Sequence, residues 1–213
     1  MLIKLDSLKN NYLFLLIFII FCIRIIGLYF SPLEVQGDEA QYWYWSTYFD
    51  WGYYSKPPLV AWIIGFFTSI FGNSIFILKL PSLLAHFLTS FVLFNLSKAF
   101  KRNTEESLWL CITYLLFFAV SLSSNIISTD PFLLLFWSSS LLFFKICLNK
   151  KSIKNIILTS IFVALGFYAK YAMIYFFLSS IVLILFTDDK KELIKNILII
   201  FFIVLILISP HRS

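Results

Sequence analysis

Long apolar runs separated by short polar segments make up most of the chain. The runs cover residues 12–30, 76–97, 107–124, 131–148, 154–169, 171–186 and 195–209. Each approaches the length that a helix needs to cross the hydrocarbon core of a membrane, which is roughly 20 residues. Strands of a membrane barrel would alternate polar and apolar residues, and these runs do not. The pattern predicts an all-α, polytopic transmembrane helical bundle with about seven spans.

Composition supports the same class of protein. Of the 213 residues, 61% are hydrophobic and 13% are charged, whereas a soluble domain carries about 25% charged residues. Cys22, Cys111 and Cys147 fall inside the expected spans and lack the spacing of metal ligands. They are therefore expected to be small packing residues.

The basic residues indicate how the helices are oriented. They form three clusters in alternate loops, on the same side as the N-terminus: Lys98, Lys101 and Arg102; Lys145, Lys150, Lys151 and Lys154; and Lys190, Lys191 and Lys195. By the positive-inside rule these loops and the N-terminus are cytoplasmic. The net charge of +6 is thus explained by topology, and a nucleic-acid partner is not expected.

One apolar run, residues 58–71, is too short to fit as a span. Counting its 14 residues as a crossing would place the later basic clusters outside the cell. It is therefore predicted to be an interfacial helix within a first external loop of about residues 31–75. The polar stretch that leads into helix 131–148 also reaches the outer side. Four charged side chains are then expected at one membrane face: Asp38, Glu39, Lys56 and Asp130.

Asp38 and Asp130 each have an alternative, structural interpretation. Asp38 has Gln41 three residues later, which matches a capping box, and Asp130 precedes Pro131, a favoured first residue of a helix. Their gathering beside Lys56 favours a chemical role, because carboxylates at membrane depth are costly and usually face a functional cavity. This pattern indicates a proton acceptor beside a cation that holds an anionic headgroup.

The other polar and aromatic residues are expected to have mainly structural or interfacial positions. The Tyr and Trp residues of the first external loop are expected mostly to form an interfacial belt, with a minority available to stack on a sugar ring or flank a lipid. Arg24, in the first span, should either snorkel or pair with a carboxylate. His211, close to the end of the chain, is expected to be solvent-exposed.

Several short motifs follow one another in a definite order. They are the Asp-Glu pair, an aromatic-rich helix, GYYSKPPLVAW, FGNSIFILKLPSLL, STDPFLLLFW and GFYAKYAMIYF. This order resembles the N-terminal half of the GT-C membrane glycosyltransferases. More narrowly, it is similar to the dolichyl-phosphate-mannose-protein mannosyltransferase superfamily, which includes bacterial aminoarabinose transferases. Because members of that superfamily are commonly longer, residues 1–213 are expected to be a truncated GT-C-like transmembrane domain.

The resemblance implies an enzyme of cell-envelope glycosylation. A sugar would move from a polyprenyl-phosphate carrier to a lipid, glycan or protein acceptor at the outer face of a bacterial-type inner membrane. Asp38 would be the catalytic base that deprotonates or orients the acceptor hydroxyl, with Glu39 supporting it. Asp130 would line the same cavity and position the acceptor or the phosphate-binding lysine.

The resemblance also implies binding roles. Lys56 would hold the carrier phosphate and stabilise it as the leaving group, and Tyr54 and Lys170 would contribute to substrate binding. No cofactor is expected, because the sugar is already activated on its carrier. A metal site is not expected either, since no DxD pattern is present and a lone Asp-Glu pair is weak support for a divalent ion.

Two alternatives to a glycosyltransferase remain open at this stage. The chain could be an inactive remnant that associates with another membrane protein. A transporter is disfavoured, because no internal repeat is evident and the polar residues gather at one face. Within the enzyme hypothesis, Ser55 stands where aminoarabinose transferases tend to carry an acidic residue. A neutral hexose or another sugar is therefore at least as compatible as aminoarabinose.

Overall fold

The computed structural model describes residues 2–150 and 152–211, with side chains from residue 9 onward, so Lys151 of the second basic cluster lies outside the described residues. Ten α-helices occur in this part: α1 Leu2–Tyr29, α2 Asp38–Trp45, α3 Leu59–Phe71, α4 Ile75–Ala99, α5 Thr104–Leu116, α6 Phe118–Ser123, α7 Asp130–Lys150, α8 Ile153–Ala169, α9 Tyr175–Leu185 and α10 Lys190–Ile208. A 3₁₀ turn, Tyr171–Ile174, joins α8 to α9. Helices form 78% of the chain, and the described residues contain no strand, which confirms the all-α class.

Three of the described helices are long and apolar enough to cross a membrane: α1 from Lys9 to Tyr29, α4 and α7. α3, α8 and the segment Tyr171–Leu185 are apolar but have only 10–17 residues. α10 has 19 residues, but its first turns carry three lysines and a glutamate. The multi-pass helical membrane bundle is confirmed, and three of its about seven expected spans form single helices long and apolar enough to cross a membrane.

The span expected at residues 107–124 is interrupted. α5 ends at Leu116, Phe117 is extended with φ −61° and ψ 131°, and α6 then continues for six residues. The prediction of one continuous span here is wrong. Phe117 lies within an unbroken apolar run, so the local sequence carries no signal for the break.

Arg24 of α1 fills the break between α5 and α6. Its Nη1 donates to Ser124 Oγ at 3.0 Å, and its Nη2 donates to Ser121 Oγ at 2.6 Å and to the Leu115 carbonyl. The guanidinium thereby supplies donors at the carbonyl end of α5, where the helical ladder stops. Arg24 was expected to snorkel or to pair with a carboxylate. That expectation is wrong, since its described partners are a carbonyl and two hydroxyls.

α4 and α7 pack against each other at the centre of the bundle. α8 packs on α7, α10 packs on α8, and α1 and α5 flank α4. Buried hydroxyl residues of α7 and α8 bond to carbonyls four residues earlier in their own helices: Ser139, Ser140, Thr159 and Ser160. They need no partner on another helix, and their small side chains let the two backbones approach closely.

Polar caps and one glycine set the starts of three helices. Ser74 Oγ accepts a hydrogen bond from Ile77 N at 3.3 Å at the start of α4. Asn103 Oδ1 accepts one from Glu106 N at 2.7 Å at the start of α5. Gly37 precedes α2 with φ +49°, a conformation that glycine adopts without steric cost.

An ion pair places the beginning of α1 beside the beginning of α5. Lys9 Nζ lies 2.6 Å from Glu105 Oε1. The N-terminal end of α1 and the first basic cluster, which directly precedes α5, therefore share one end of the bundle, as the charge pattern predicts.

α2 and α3 approach closely at Gly65. A Cβ atom on Gly65 would lie 2.8 Å from the backbone oxygen of Ser46, the residue after α2. Tyr42 and Trp45 of α2 belong to a buried cluster that includes residues of α3. Gly65 therefore sets the distance between α3 and the helix that begins with Asp38.

Gly65→Ala is expected to lower the melting temperature of the purified protein, because the Ser46 backbone must move away from the new methyl group. Overpacking of this kind costs about 1–3 kcal/mol. Thermal unfolding in detergent, followed by circular dichroism, measures the change. Gly27→Ala in α1 is the matched control, because a Cβ atom there meets nothing within 4 Å. Equal melting temperatures for the two variants would contradict the close approach of α2 and α3.

Candidate functional site

A cavity of about 460 Å³ lies where the segments before α2 and α7 meet the start of α4 and the end of α8. Seven charged side chains line it: Glu34, Asp38, Glu39, Lys56, Lys79, Asp130 and Lys170. Five of them are site residues proposed from the sequence, all except Glu34 and Lys79. The structure brings these five together from four separate parts of the chain.

Asp38 begins α2 and lines the cavity. No side chain caps this helix, whose N-cap is Gly37, so the interpretation of Asp38 as a capping box with Gln41 is wrong. Asp38 Oδ2 lies 3.6 Å from Lys56 Nζ, and the two side chains are 72% and 37% exposed. Such an exposed ion pair contributes little to stability. Either partner can therefore exchange the other for a ligand.

A tight turn holds Lys56 in place. Tyr53 and Lys56 exchange backbone hydrogen bonds of 3.3 Å in both directions, with Tyr54 and Ser55 at the tip. The Tyr53 ring stacks on Trp45 with 5.0 Å between centroids, and its hydroxyl faces the carbonyls of Tyr48 at 2.8 Å and Trp45 at 3.1 Å. Burial raises the pKa of Tyr53 above its ordinary value. The hydroxyl therefore remains a donor, and the turn stays attached to α2.

Tyr54 is the proposed binding residue that lies outside the cavity. It occupies the tip of the turn, is 99% exposed and does not contribute to the cavity lining. The adjacent Tyr53 takes the buried position instead. A contribution of Tyr54 to substrate binding stays a prediction.

Asp130 and Lys170 form a second ion pair in the cavity. Asp130 begins α7, and Lys170 lies in the extended junction after α8, with φ −160° and ψ 134°. Lys170 Nζ donates to Asp130 Oδ1 at 2.6 Å, and the side chains are 44% and 55% exposed. This pair is also accessible to a ligand, and its short distance marks a charge-assisted hydrogen bond.

Lys79 is a cavity residue that the sequence interpretation missed. It lies on α4, within a run assigned as a membrane span, and its side chain is only 2% exposed. Its Nζ lies 3.6 Å from Glu39 Oε1 and donates to the carbonyls of Leu33 at 3.1 Å and Glu34 at 3.3 Å. The signal was present in the sequence, because a lysine inside an apolar span needs a partner and usually has a function.

Glu39 is buried, in contrast to its neighbour Asp38. Its Oε1 accepts a hydrogen bond from the backbone N–H of Ile127 at 2.7 Å, and its Oε2 accepts one from Gln36 N at 3.3 Å. Together with Lys79, these contacts surround the carboxylate with groups of the protein itself.

Tyr42 adds a neutral hydroxyl group to the cavity lining. Burial, with smaller contributions from the carboxylates of Asp38 and Asp130, raises the pKa of Tyr42 to about 12. The phenol therefore stays protonated near neutral pH and can donate a hydrogen bond to an oxygen of a ligand.

His211 is held at the edge of this region. Its Nδ1 lies 2.6 Å from the Trp51 carbonyl, and its Nε2 lies 2.8 Å from the hydroxyl of Tyr171, the residue after Lys170. Because a carbonyl only accepts, Nδ1 donates to Trp51, and in a neutral imidazole Nε2 then accepts from the Tyr171 hydroxyl. His211 is therefore partly exposed, as expected, but both of its ring nitrogens have a partner in the protein.

The cavity offers lysines beside carboxylates as its chemical groups. A lysine can hold an anionic group while a neighbouring carboxylate accepts a proton from a hydroxyl. Among residues 2–150 and 152–211, no group of three or more His, Cys, Asp or Glu side chains is arranged to hold a metal ion.

Comparison with known proteins links the chain to a family. The family model described as dolichyl-phosphate-mannose-protein mannosyltransferase matches residues 55–213, which include Lys56, Lys79, Asp130 and Lys170. The chain is 37% identical over 153 residues to the lipid A galacturonosyltransferase RgtD of Rhizobium johnstonii. This match covers 71% of the chain but only 32% of that relative. No solved structure matches the chain.

Proposed function

The chain belongs to the dolichyl-phosphate-mannose-protein mannosyltransferase family of GT-C membrane proteins, and we propose that it transfers a sugar from a polyprenyl-phosphate carrier to a lipid or glycan acceptor. The observation that carries the proposal is the exposed pair of Lys56 and Asp38, 3.6 Å apart in the cavity. It supplies a cation for the carrier phosphate next to a carboxylate for the acceptor hydroxyl.

In the proposed reaction, the phosphate of the carrier replaces Asp38 as the partner of Lys56. The acceptor hydroxyl oxygen then attacks the anomeric carbon of the sugar. The bond between that carbon and the phosphate oxygen breaks, and the polyprenyl phosphate leaves with the electron pair. Lys56 stabilises the charge that develops on the leaving oxygen, and the Asp38 carboxylate takes the proton of the hydroxyl.

An apolar groove supports a lipid substrate. It measures about 340 Å³ and lies between α3, α4 and α7, with Pro81 and Phe132 among its lining residues. The cavity residues Lys79 and Asp130 lie two positions before Pro81 and Phe132, so the same turns of α4 and α7 line both spaces. We propose that the groove holds the first isoprene units of the carrier while its phosphate lies in the cavity.

Two observations support a choice of sugar and acceptor: the name of the similar protein, and the presence of Ser55 before Lys56. The relative is named a lipid A galacturonosyltransferase. Ser55 places no carboxylate immediately before Lys56, so an anionic sugar would meet no repulsion at that position. We propose a hexuronic acid as the sugar and a lipid A-type molecule as the acceptor.

A reconstitution assay tests this function. The purified protein in lipid nanodiscs is given undecaprenyl-phosphate-linked galacturonic acid and lipid A, and mass spectrometry detects lipid A that has gained one hexuronic acid. Transfer is expected, and the same carrier with galactose, the neutral counterpart, should react more slowly. Absence of product with either donor, while the protein still binds undecaprenyl phosphate, would overturn the proposal in favour of an inactive remnant.

We also propose that the cavity opens to the outer side of a bacterial-type inner membrane, with a cytoplasmic N-terminus. The positive-inside pattern supports this orientation. In bacterial spheroplasts, an impermeant maleimide should label Ser55→Cys directly but should label Arg102→Cys only after permeabilisation, because both positions are exposed at opposite ends of the bundle. The unsubstituted chain gives the background from its own cysteines. The reverse labelling order would contradict the orientation.

A further inference from the structure

The ion pair of Lys79 and Glu39 differs from the other two pairs of the cavity. Its side chains are 2% and 11% exposed, whereas each side chain of the pairs Asp38 with Lys56 and Asp130 with Lys170 is at least one third exposed. A buried pair resists exchange, because removing either partner leaves an uncompensated charge away from water. The Lys79 and Glu39 pair is therefore expected to persist when a ligand enters.

The polar atoms of this pair are already occupied by the protein. An ammonium group has three N–H donors, and Lys79 Nζ has the carbonyls of Leu33 and Glu34 and the Glu39 carboxylate around it. Glu39 in turn accepts from the backbone N–H of Ile127 as well as from the loop before α2. The Lys79 ammonium thus has two carbonyls and a carboxylate of the protein around it, and each carboxylate oxygen of Glu39 already accepts a backbone N–H, so both side chains are engaged before a ligand enters.

These contacts join three separate parts of the chain at one point. Lys79 lies on α4, its carbonyl partners lie in the segment before α2, and Ile127 lies in the segment before α7. The residues that follow in sequence are the exposed acids of the cavity. Asp38 is adjacent to Glu39, and Asp130 comes three residues after Ile127. The separation of Asp38 and Asp130 thus depends on the buried pair.

We propose that Lys79 and Glu39 are positioning residues, which fix the two acid-bearing segments relative to each other without contacting the substrate. This inference rests on the proposed function for its catalytic consequence. It changes the role expected for Glu39, from a residue that assists Asp38 in the reaction to one that holds Asp38 and Asp130 in place. It also gives Lys79 a role that the motifs around it do not indicate.

Hydrogen exchange tests the joining of the two segments directly. In nanodiscs, Lys79→Met and Glu39→Gln are each expected to speed amide exchange in a peptide covering residues 124–130 about tenfold, since the hydrogen bond to Ile127 N is weakened. Lys9→Met, which breaks the exposed pair with Glu105, should leave this peptide unchanged. If neither substitution alters exchange at 124–130, the proposal is overturned. If Lys79→Met does not fold, amide exchange in Glu39→Gln, which keeps the size of the side chain, tests the proposal.

The kinetics of the two variants test the catalytic consequence. Misplacing a reacting group by about 1 Å can cost about 100-fold in rate, so kcat should fall by about this factor while KM for the carrier-linked sugar changes little.

The loss in the double variant Lys79→Met/Glu39→Gln should be smaller than the product of the two single losses, because no buried charge is left unpaired. A raised KM with unchanged kcat would show that the pair contacts the substrate and would overturn the proposal. If the unsubstituted protein transfers no sugar, the proposed function fails, while the exchange measurement still decides whether the pair joins the two segments.

Discussion

Replacing Asp38 with asparagine should lower kcat for sugar transfer about 10²- to 10⁴-fold, the usual contribution of a positioned general base. The amide has nearly the same size as the carboxylate but cannot take up the proton of the acceptor hydroxyl. Lys56 keeps its ammonium group, so binding of undecaprenyl phosphate should change little. The reconstituted assay gives kcat and KM, and binding of the carrier is measured separately.

Asp50→Asn is the matched control for this substitution. Asp50 lies in the segment between α2 and α3, is exposed, and accepts a hydrogen bond from Trp51 N at 2.7 Å through Oδ1. An asparagine can accept the same bond, so transfer should continue at nearly the original rate. Full activity of Asp38→Asn, or an equal loss in both variants, would remove Asp38 as the base. A change confined to KM would make it a binding residue instead.

Replacing Arg24 with methionine should destabilise the protein by about 3 kcal/mol, because a carbonyl and two hydroxyls at the break after α5 would lose their donor. For a chain of this size, such a loss corresponds to a decrease in melting temperature of about 6–12 °C. Circular dichroism of the purified protein in detergent measures it. Methionine retains the apolar part of the side chain, so the effect reports the lost hydrogen bonds.

Arg102→Met serves as the control for the loss of a guanidinium. Arg102 is exposed, and its nearest acidic oxygen, on Glu106, is 4.0 Å away. Its removal should change stability by less than about 1 kcal/mol. Arg24→Lys should fall between the two, because an ammonium group cannot span the same three acceptors. A melting temperature of Arg24→Met equal to that of Arg102→Met would show that the break does not depend on Arg24.

Hydrophobic pattern predicted the main helices because each must present apolar residues to lipid or to its neighbours. α4 and α7 begin and end within a few residues of the runs 76–97 and 131–148. The break at Phe117 was not predictable in this way. It is accompanied by hydrogen bonds from Arg24 on another helix, and a local pattern carries no information about a contact between distant segments.

The candidate site was likewise predictable from the sequence only in part. Counting membrane crossings was enough to expect Asp38, Lys56 and Asp130 at one face, because the parity of crossings fixes the side of each loop. The partner of each charge could not be predicted, since it depends on how α4 and α8 approach the segments before α2 and α7. Lys79 is the clearest example, because the hydrophobic pattern of residues 76–97 predicts a span but not which neighbouring segments meet the lysine inside it.

The mixed lining of the cavity has a consequence for how the proposed donor arrives. Three lysines share the lining with four acidic side chains, and only a cleft dominated by one sign of charge attracts ions from a distance. A lipid-linked sugar would instead reach the cavity by lateral diffusion within the bilayer, in two dimensions. The rate of capture would then follow the abundance and mobility of the carrier in the membrane, and ionic strength would have little effect on it.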